Sequence, residues 1–227
     1  RSTPALSSAA SDVYKRQIIM FKNLLLRDLR LAYYSSSNFI YIGSFFILVT
    51  ILIPFVINTE TEGLKSVFQG LIWVGLALAL LLALDRIFSS DFDDGNLDII
   101  LRMEVSYEKI YLSKLLSVWI TYCLPIVIIV PLISTAFNLT INETIFVTIN
   151  LFCGSFGMAA TAIGINALLM GLKRMIYLKS IIVIPLYIPF MIFGVEQGSW
   201  PVLSALSMIA VVVASFATSY GLRLYGE

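Results

Sequence analysis

The chain has 227 residues, 59% of them hydrophobic and only 13% charged, with a formal net charge of +1 and a mean hydropathy of +0.93. Charged residues make up about a quarter of an ordinary soluble domain, so this composition excludes one and places the protein in a membrane. The near-neutral charge without a basic cluster leaves no electrostatic footprint for nucleic acid, and the absence of histidine removes the commonest metal ligand, haem axial ligand and general base.

In chain order, residues 1–19 ("RSTPALSSAASDVYKRQII") have neither a hydrophobic core nor a cleavage signature, so they are not a secretory signal. Within them "DVYKRQ" looks like the translation of a transposon end used in preparing sequencing libraries. The expectation is a non-native leader or disordered extension, with the native protein starting at Met20. Next, "MFKNLLLRDLRLAYYSS" sets Lys22, Arg27, Asp28 and Arg30 among Phe21, Leu24, Leu25, Leu29 and Tyr33 at roughly helical spacing, the pattern of an amphipathic helix in the headgroup plane.

Six apolar runs follow, near 39–57, 67–84, 115–137, 145–170, 178–195 and 202–221. A bilayer core about 30 Å thick takes about 20 helical residues, and lipid offers no hydrogen-bond partners, so each run is predicted to be a transmembrane helix. None has Lys, Arg, Asp or Glu at its centre. Pro125, Pro131, Pro185 and Pro189 are positioned to kink the third and fifth spans. Cys123 and Cys153 lie inside apolar runs and read as small core hydrophobes rather than a disulfide framework.

In the fourth span, Gly157 with Thr161, Ala160 with Gly164 and Ala167 with Gly171 stand four residues apart, as close helix packing prefers. Intramolecular packing and a homodimer seam both satisfy that spacing. Twelve basic residues lie outside the leader; grouping the termini with the even-numbered loops puts eleven on one side against Lys65 on the other, which predicts both ends in the cytoplasm. On the opposite side, Glu196, Trp200 and the nearby Tyr187 fit a periplasmic contact, while Trp200 and the tyrosines equally fit an aromatic belt. "GVEQGSWPVL" accommodates either a re-entrant piece or a plain loop.

The charged segment 85–114 holds seven carboxylates and four basic residues between the second and third spans. In "SSDFDDGNLDIILRM", Ser89 or Ser90 can cap a helix whose first turn carries Asp91, Asp93 and Asp94. Asp91, Asp94 and Asp98 then share one face, and Leu97, Ile100 and Leu101 another. Gly95 is either an elbow or a loop glycine. Both versions present an acidic and apolar knuckle suited to a partner's groove with basic walls; a merely solvated loop also fits the charge pattern. No P-loop, nucleophile elbow or H-E-x-x-H helix occurs, and no ionisable group lies at a span midplane, so neither an enzyme nor an ion-coupled carrier is expected.

The stretch "GLIWVGLALALLLALDRIFSSDFDDGNLDIILRMEVSYEKIYLSKLL" resembles the second span and following segment of CcmB, the permease-like subunit of bacterial cytochrome c maturation. The resemblance rests on Gly70, Ile72, Trp73 and Val74, on Leu82 to Arg86, and on F-x-x-D-x-x-D-G-x-L-[DE] at Phe88, Asp91, Asp94, Gly95, Leu97 and Asp98. It continues in "YLSKLLSVWITYCLPIVIIVPL", "GLKR" at 171–174 and "IIVIPLYIPFMIFG", covering most of the chain after Met20. Asp85 and Asp98 replace glutamates often seen in the family, keeping the charge while shortening its reach.

The resemblance implies an all-α membrane protein of the ABC-2 permease-like type in the bacterial inner membrane, with an interfacial N-terminal helix and six spans, an arrangement that agrees with cytoplasmic ends. It implies an ATPase-docking site at Arg86, Phe88, Asp91, Asp94, Gly95, Leu97 and Asp98. The implied partners are a CcmA-like ATPase, CcmC-like and CcmD-like membrane proteins and, indirectly, a CcmE-like haem chaperone. On this view the subunit has no catalytic site and binds no cofactor directly: ATP belongs to the partner, and haem is handled by the complex. Export of another substrate by an ABC-2 permease, such as a polysaccharide or drug, and a non-transporting membrane scaffold are the alternative functions.

Overall fold

The computed structural model describes residues 17–31, 43–44, 46–52, 61–84, 100, 105–170 and 176–226. The described elements are helices: α1 (17–31), α2 (46–52), α3 (Thr61–Leu84), α4 (Tyr107–Val118), α5 (Leu124–Ala136), α6 (Ile141–Leu168), α7 (Ile176–Val195) and α8 (Trp200–Gly226). A π-helical turn, Trp119–Cys123, joins α4 to α5 without a break. Four stretches, Tyr107–Ala136, Ile141–Leu168, Leu178–Val195 and Trp200–Tyr225, are long and apolar enough to cross a membrane, and Val67–Ala83 in α3 is a shorter apolar stretch. The fold is that of a multi-pass membrane protein. The expected first span, near 39–57, lies largely outside the described residues.

Helix ends depart from the apolar runs wherever local chemistry extends the helix. α6 starts at Ile141, four residues before the predicted run, because Thr140 and Glu143 form a capping box: the Glu143 N–H donates to Thr140 Oγ1 at 3.4 Å and the Thr140 N–H to Glu143 Oε2 at 2.6 Å. Before it, Asn138 takes a left-handed φ of 54° and the Leu139 N–H returns to Ser134 O, closing α5 into a tight turn. α4 starts at Tyr107, inside the charged stretch, so residues 107–114 are the opening turns of the third-span helix. The α7–α8 connection at 196–199 is a four-residue turn with Gly198 at φ +82°. α7 therefore passes into α8 through a plain turn.

α6 is the hub of the bundle, packing against α3, α5, α7 and, along most of its length, α8. Apolar side chains gain nothing by leaving lipid for one another, so association depends on close van der Waals fit, which small residues permit. A Cβ on Gly164 would sit 2.9 Å from Ala214 Cβ and 3.0 Å from its Cα, and one on Gly221 would sit 2.6 Å from Ala167 O. Where it is described, the small-residue stripe of the fourth-span segment is occupied within the chain: by α8 at Gly164 and Ala167, and by Phe190 of α7 with Ser207 of α8 at Gly157. The buried indole of Trp73 on α3 fills a notch where Gly154 on α6 and Gly194 on α7 lack side chains. Both cysteines are free, and Cys123 is fully buried.

Facing outward, α7 exposes Ile181, Ile184, Ile188 and Ile192, and α8 exposes Met208, Ile209, Val212 and Phe216. Such apolar outer faces suit lipid contact. Pro131 lies inside α5, Pro185 and Pro189 inside α7, and Pro125 in the first turn of α5.

Gly164→Ala is expected to destabilise the purified protein by about 1–3 kcal/mol through overpacking against the α8 backbone. By contrast, Gly70→Ala, whose Cβ meets nothing within 4 Å, is expected to be neutral or stabilising by up to about 1 kcal/mol. Melting curves in detergent check the ranking; equal melting temperatures for the two would contradict the close α6–α8 approach.

Candidate functional site

The expected docking residues Arg86, Phe88, Asp91, Asp94, Gly95, Leu97 and Asp98 lie outside the described residues. Their flanks are described: α3 ends at Leu84 and α4 begins at Tyr107, so the charged segment bridges the ends of two neighbouring spans. Ile100, expected on the apolar face of that segment, is 1% exposed and belongs to the hydrophobic core, and Val105 is also buried.

Around this connection the helices converge through charged and polar contacts. Asp28 on α1, buried, accepts from Arg27 Nη2 at 2.8 Å and Nε at 3.1 Å through Oδ1, while its Oδ2 lies 3.2 Å from Lys114 Nζ on α4. Lys114 is buried as well. Burying ions is costly, and the loss is offset only where charges of opposite sign meet in good geometry, as two cations do around this carboxylate. Lys109 Nζ also donates to Oε1 of Gln17, a residue of the segment expected to be a non-native leader or disordered extension. The Arg223 guanidinium, at the end of α8, lies 5.7 Å from the Tyr107 ring centroid. Nearby in sequence order, Lys179 Nζ on α7 donates to Asn166 Oδ1 on α6 at 2.8 Å. Five of the basic residues that the charge count assigned to one side, Arg27, Lys109, Lys114, Lys179 and Arg223, thus make their contacts at the same end of the bundle.

Lys65, the one basic residue assigned to the other side, pairs at the opposite end with Glu143 at 3.1 Å, joining the starts of α3 and α6. There the buried Asn150 on α6 donates to Gly194 O at 3.2 Å and Glu196 O at 2.9 Å, satisfying carbonyls at the end of α7. Ser199 Oγ donates to Phe193 O and to Glu196 O, completing the turn. Glu196 is exposed and Trp200 is 47% exposed, so both present surface for a contact at this end. Tyr187 is fully buried in mid-helix, and its hydroxyl has no hydrogen-bond partner among the described residues. It reaches a partner only where the helices part.

Three contributors escaped sequence reasoning. Asp28 was visible as the lone acid of a basic amphipathic helix, but its partner lies 86 residues away. Asn150, a carboxamide inside an apolar run, was a signal of an interhelical hydrogen bond. Ser155, which accepts from Trp119 Nε1 at 3.0 Å, gave no signal beyond its small size.

Asp28→Asn and Lys114→Met are each expected to lower thermal stability in lipid nanodiscs, and the double variant to lose less than their sum by about 0.5–3 kcal/mol. Strictly additive losses would show that the ion pair contributes no coupling between α1 and α4.

The family model for "CcmB protein" matches residues 19–225. The "Heme exporter protein B" of Paracoccus denitrificans is 33% identical over 214 residues, covering 89% of this chain and 98% of that protein. Its counterpart in Rhodobacter capsulatus is 32% identical over 212 residues, with 88% and 97% covered, and that of Escherichia coli is 30% identical over 225 residues, with 91% and 99% covered. With a family match across nearly the whole chain and relatives aligned almost end to end, this protein belongs to the CcmB family.

Proposed function

We propose that this protein is the membrane component of a haem export system in cytochrome c maturation. In this role it couples ATP hydrolysis by a separate CcmA-like ATPase to export of haem or to release of a haem-loaded CcmE-like chaperone. The observation that carries the reading is the end-to-end match to relatives named as haem exporter subunits. The chain sits in the bacterial inner membrane with CcmC-like and CcmD-like partners, and the end bearing Arg27, Lys114 and Arg223 faces the cytoplasm. Lacking a P-loop, it leaves nucleotide chemistry to the partner.

The acidic knuckle at 86–98 is the grip for that ATPase. Its position between α3 and α4, with Ile100 seated in the core, supports transmission into the second and third spans. A nucleotide-driven change can act only through a membrane element that has two arrangements of differing affinity for the closed ATPase. At the other end, Glu196 and Trp200 are the surface groups for a CcmC-like or chaperone contact.

Asp91→Asn, Asp94→Asn and Asp98→Asn combined are expected to leave membrane insertion intact while lowering copurified ATPase about tenfold or more, equivalent to about 1.4 kcal/mol of docking energy. Wild-type copurification with normal hydrolysis would remove the docking role. Deletion of the gene is expected to abolish covalent haem attachment to cytochromes c, read by haem staining of membrane proteins. Normal attachment would instead favour another exported substrate or a scaffold.

A further inference from the structure

The third-span helix changes its hydrogen-bond register at one point. At the π-turn Trp119–Cys123, the Leu124 N–H bonds Trp119 O, five residues back, so it does not serve Ile120 O. The next residue, Pro125, has no N–H to offer Thr121 O and crowds that carbonyl with its ring. Two consecutive carbonyls therefore lack their usual i+4 donor, in a span where lipid supplies no substitute. A small cleft lined by Gly43, Phe46, Thr121, Tyr122 and Pro125 lies beside this turn, so the helix is not packed solid where its ladder is weakest.

The two halves of the span share α6 as a neighbour but differ in their other ties: α4 packs chiefly along α8 and more lightly on α6, whereas α5 packs on α6 and α3. α4 is held to α1 by Lys114–Asp28, and it meets the end of α8 at Tyr107–Arg223. α5 is held to α6 by the 3.0 Å contact between the Ser134 and Thr144 hydroxyls, and Phe137 at its end stacks on Phe68 of α3 at 4.2 Å. Between them, the turn is fastened to one point on α6. Trp119 Nε1 donates to Ser155 Oγ, Cys123 Sγ lies 3.9 Å from Ser155 O, and the Trp119 ring meets Phe152 and Phe156 edge-on at 5.1 and 5.8 Å.

We propose that the π-turn is a joint, with Ser155 as its fulcrum, across which α4 and α1 swing as a lever while α5 stays with α6 and α3. This rests on the ATPase-docking reading, because the load enters at the segment immediately before α4. The 12 residues of α4 make an arm of roughly 18 Å at about 1.5 Å per residue, so a change in kink of about 20° moves its outer end by roughly 6 Å.

The test uses the complete complex with its ATPase in nanodiscs, with spin labels on non-canonical side chains so that Cys123 and Cys153 remain in place. One label pair sits on exposed Leu112 of α4 and Leu168 of α6, the other on exposed Leu132 of α5 and Ile149 of α6. Vanadate-trapped nucleotide is expected to shift the first pair by several ångströms and leave the second unchanged. Deleting Ile120, which converts the π-turn to plain α-helix, is expected to abolish the shift and lower covalent haem attachment at least tenfold while the ATPase still binds and hydrolyses. Pro125→Ala, which restores one donor without altering length, is expected to reduce the shift and carries the test should the deletion fail to assemble. If both pairs move together, or the variants retain full shift and full haem attachment, the joint is overturned while docking stands. If no ATPase associates with the wild-type chain, the docking reading falls and the joint's role with it.

Discussion

Helices in lipid are not driven together by a hydrophobic effect, because leaving hydrocarbon for another apolar side chain gains little. What holds this bundle is the steric fit of α6 against α8. Gly164 admits the Ala214 backbone, and Gly221 admits the carbonyl of Ala167. A single methyl group in either place would push the helices apart. The same economy recurs where Gly154 and Gly194 make room for Trp73, bringing α3 and α7 against α6. With α6 fixed by its neighbours on several sides, it becomes the rigid reference against which other parts of the chain can move.

Polar contacts divide by location. Within the helices they satisfy backbone or hydroxyl groups, as when Ser207 Oγ donates to Cys153 O at 2.7 Å and Trp119 Nε1 to Ser155 Oγ at 3.0 Å. At the ends, ion pairs join hydrogen bonds such as those of Asn150 and Lys179. Lys65–Glu143 lies partly exposed, where solvent and salt weaken it, whereas Asp28–Lys114 is withdrawn from solvent and more sensitive to the loss of a partner. Among the described residues, the buried ion pair thus joins the N-terminal amphipathic helix to the helix that follows the charged connection.

The route from the proposed docking segment into the membrane is consistent with this division of labour. Ile100 and Val105, described residues that precede α4 in the connection, are buried in the core. Beyond it, the π-turn interrupts the third-span ladder next to Pro125, and its attachment to Ser155 gives the interruption a fixed position on the rigid helix. A continuous α-helix would transmit displacement along its full length; an interrupted one can confine it to one half.

The sequence by itself determined the membrane class, the apolar segments from 67 onward, the amphipathic N-terminal helix and, through the Phe88 to Asp98 pattern, the family resemblance. These are properties of composition, periodicity and local motif, which no tertiary contact needs to supply. Helix starts were less legible, since apolarity marks where a segment meets lipid rather than where hydrogen bonding begins: the Thr140–Glu143 box and the charged opening of α4 both lie outside the apolar runs. Only the tertiary structure decided that the small-residue stripe serves α8 within the chain, that Tyr187 lies in the core, and that Asp28 meets Lys114. Each depends on which helix faces which, a choice made by steric fit between residues 50 or more positions apart, and nothing in a local pattern encodes it.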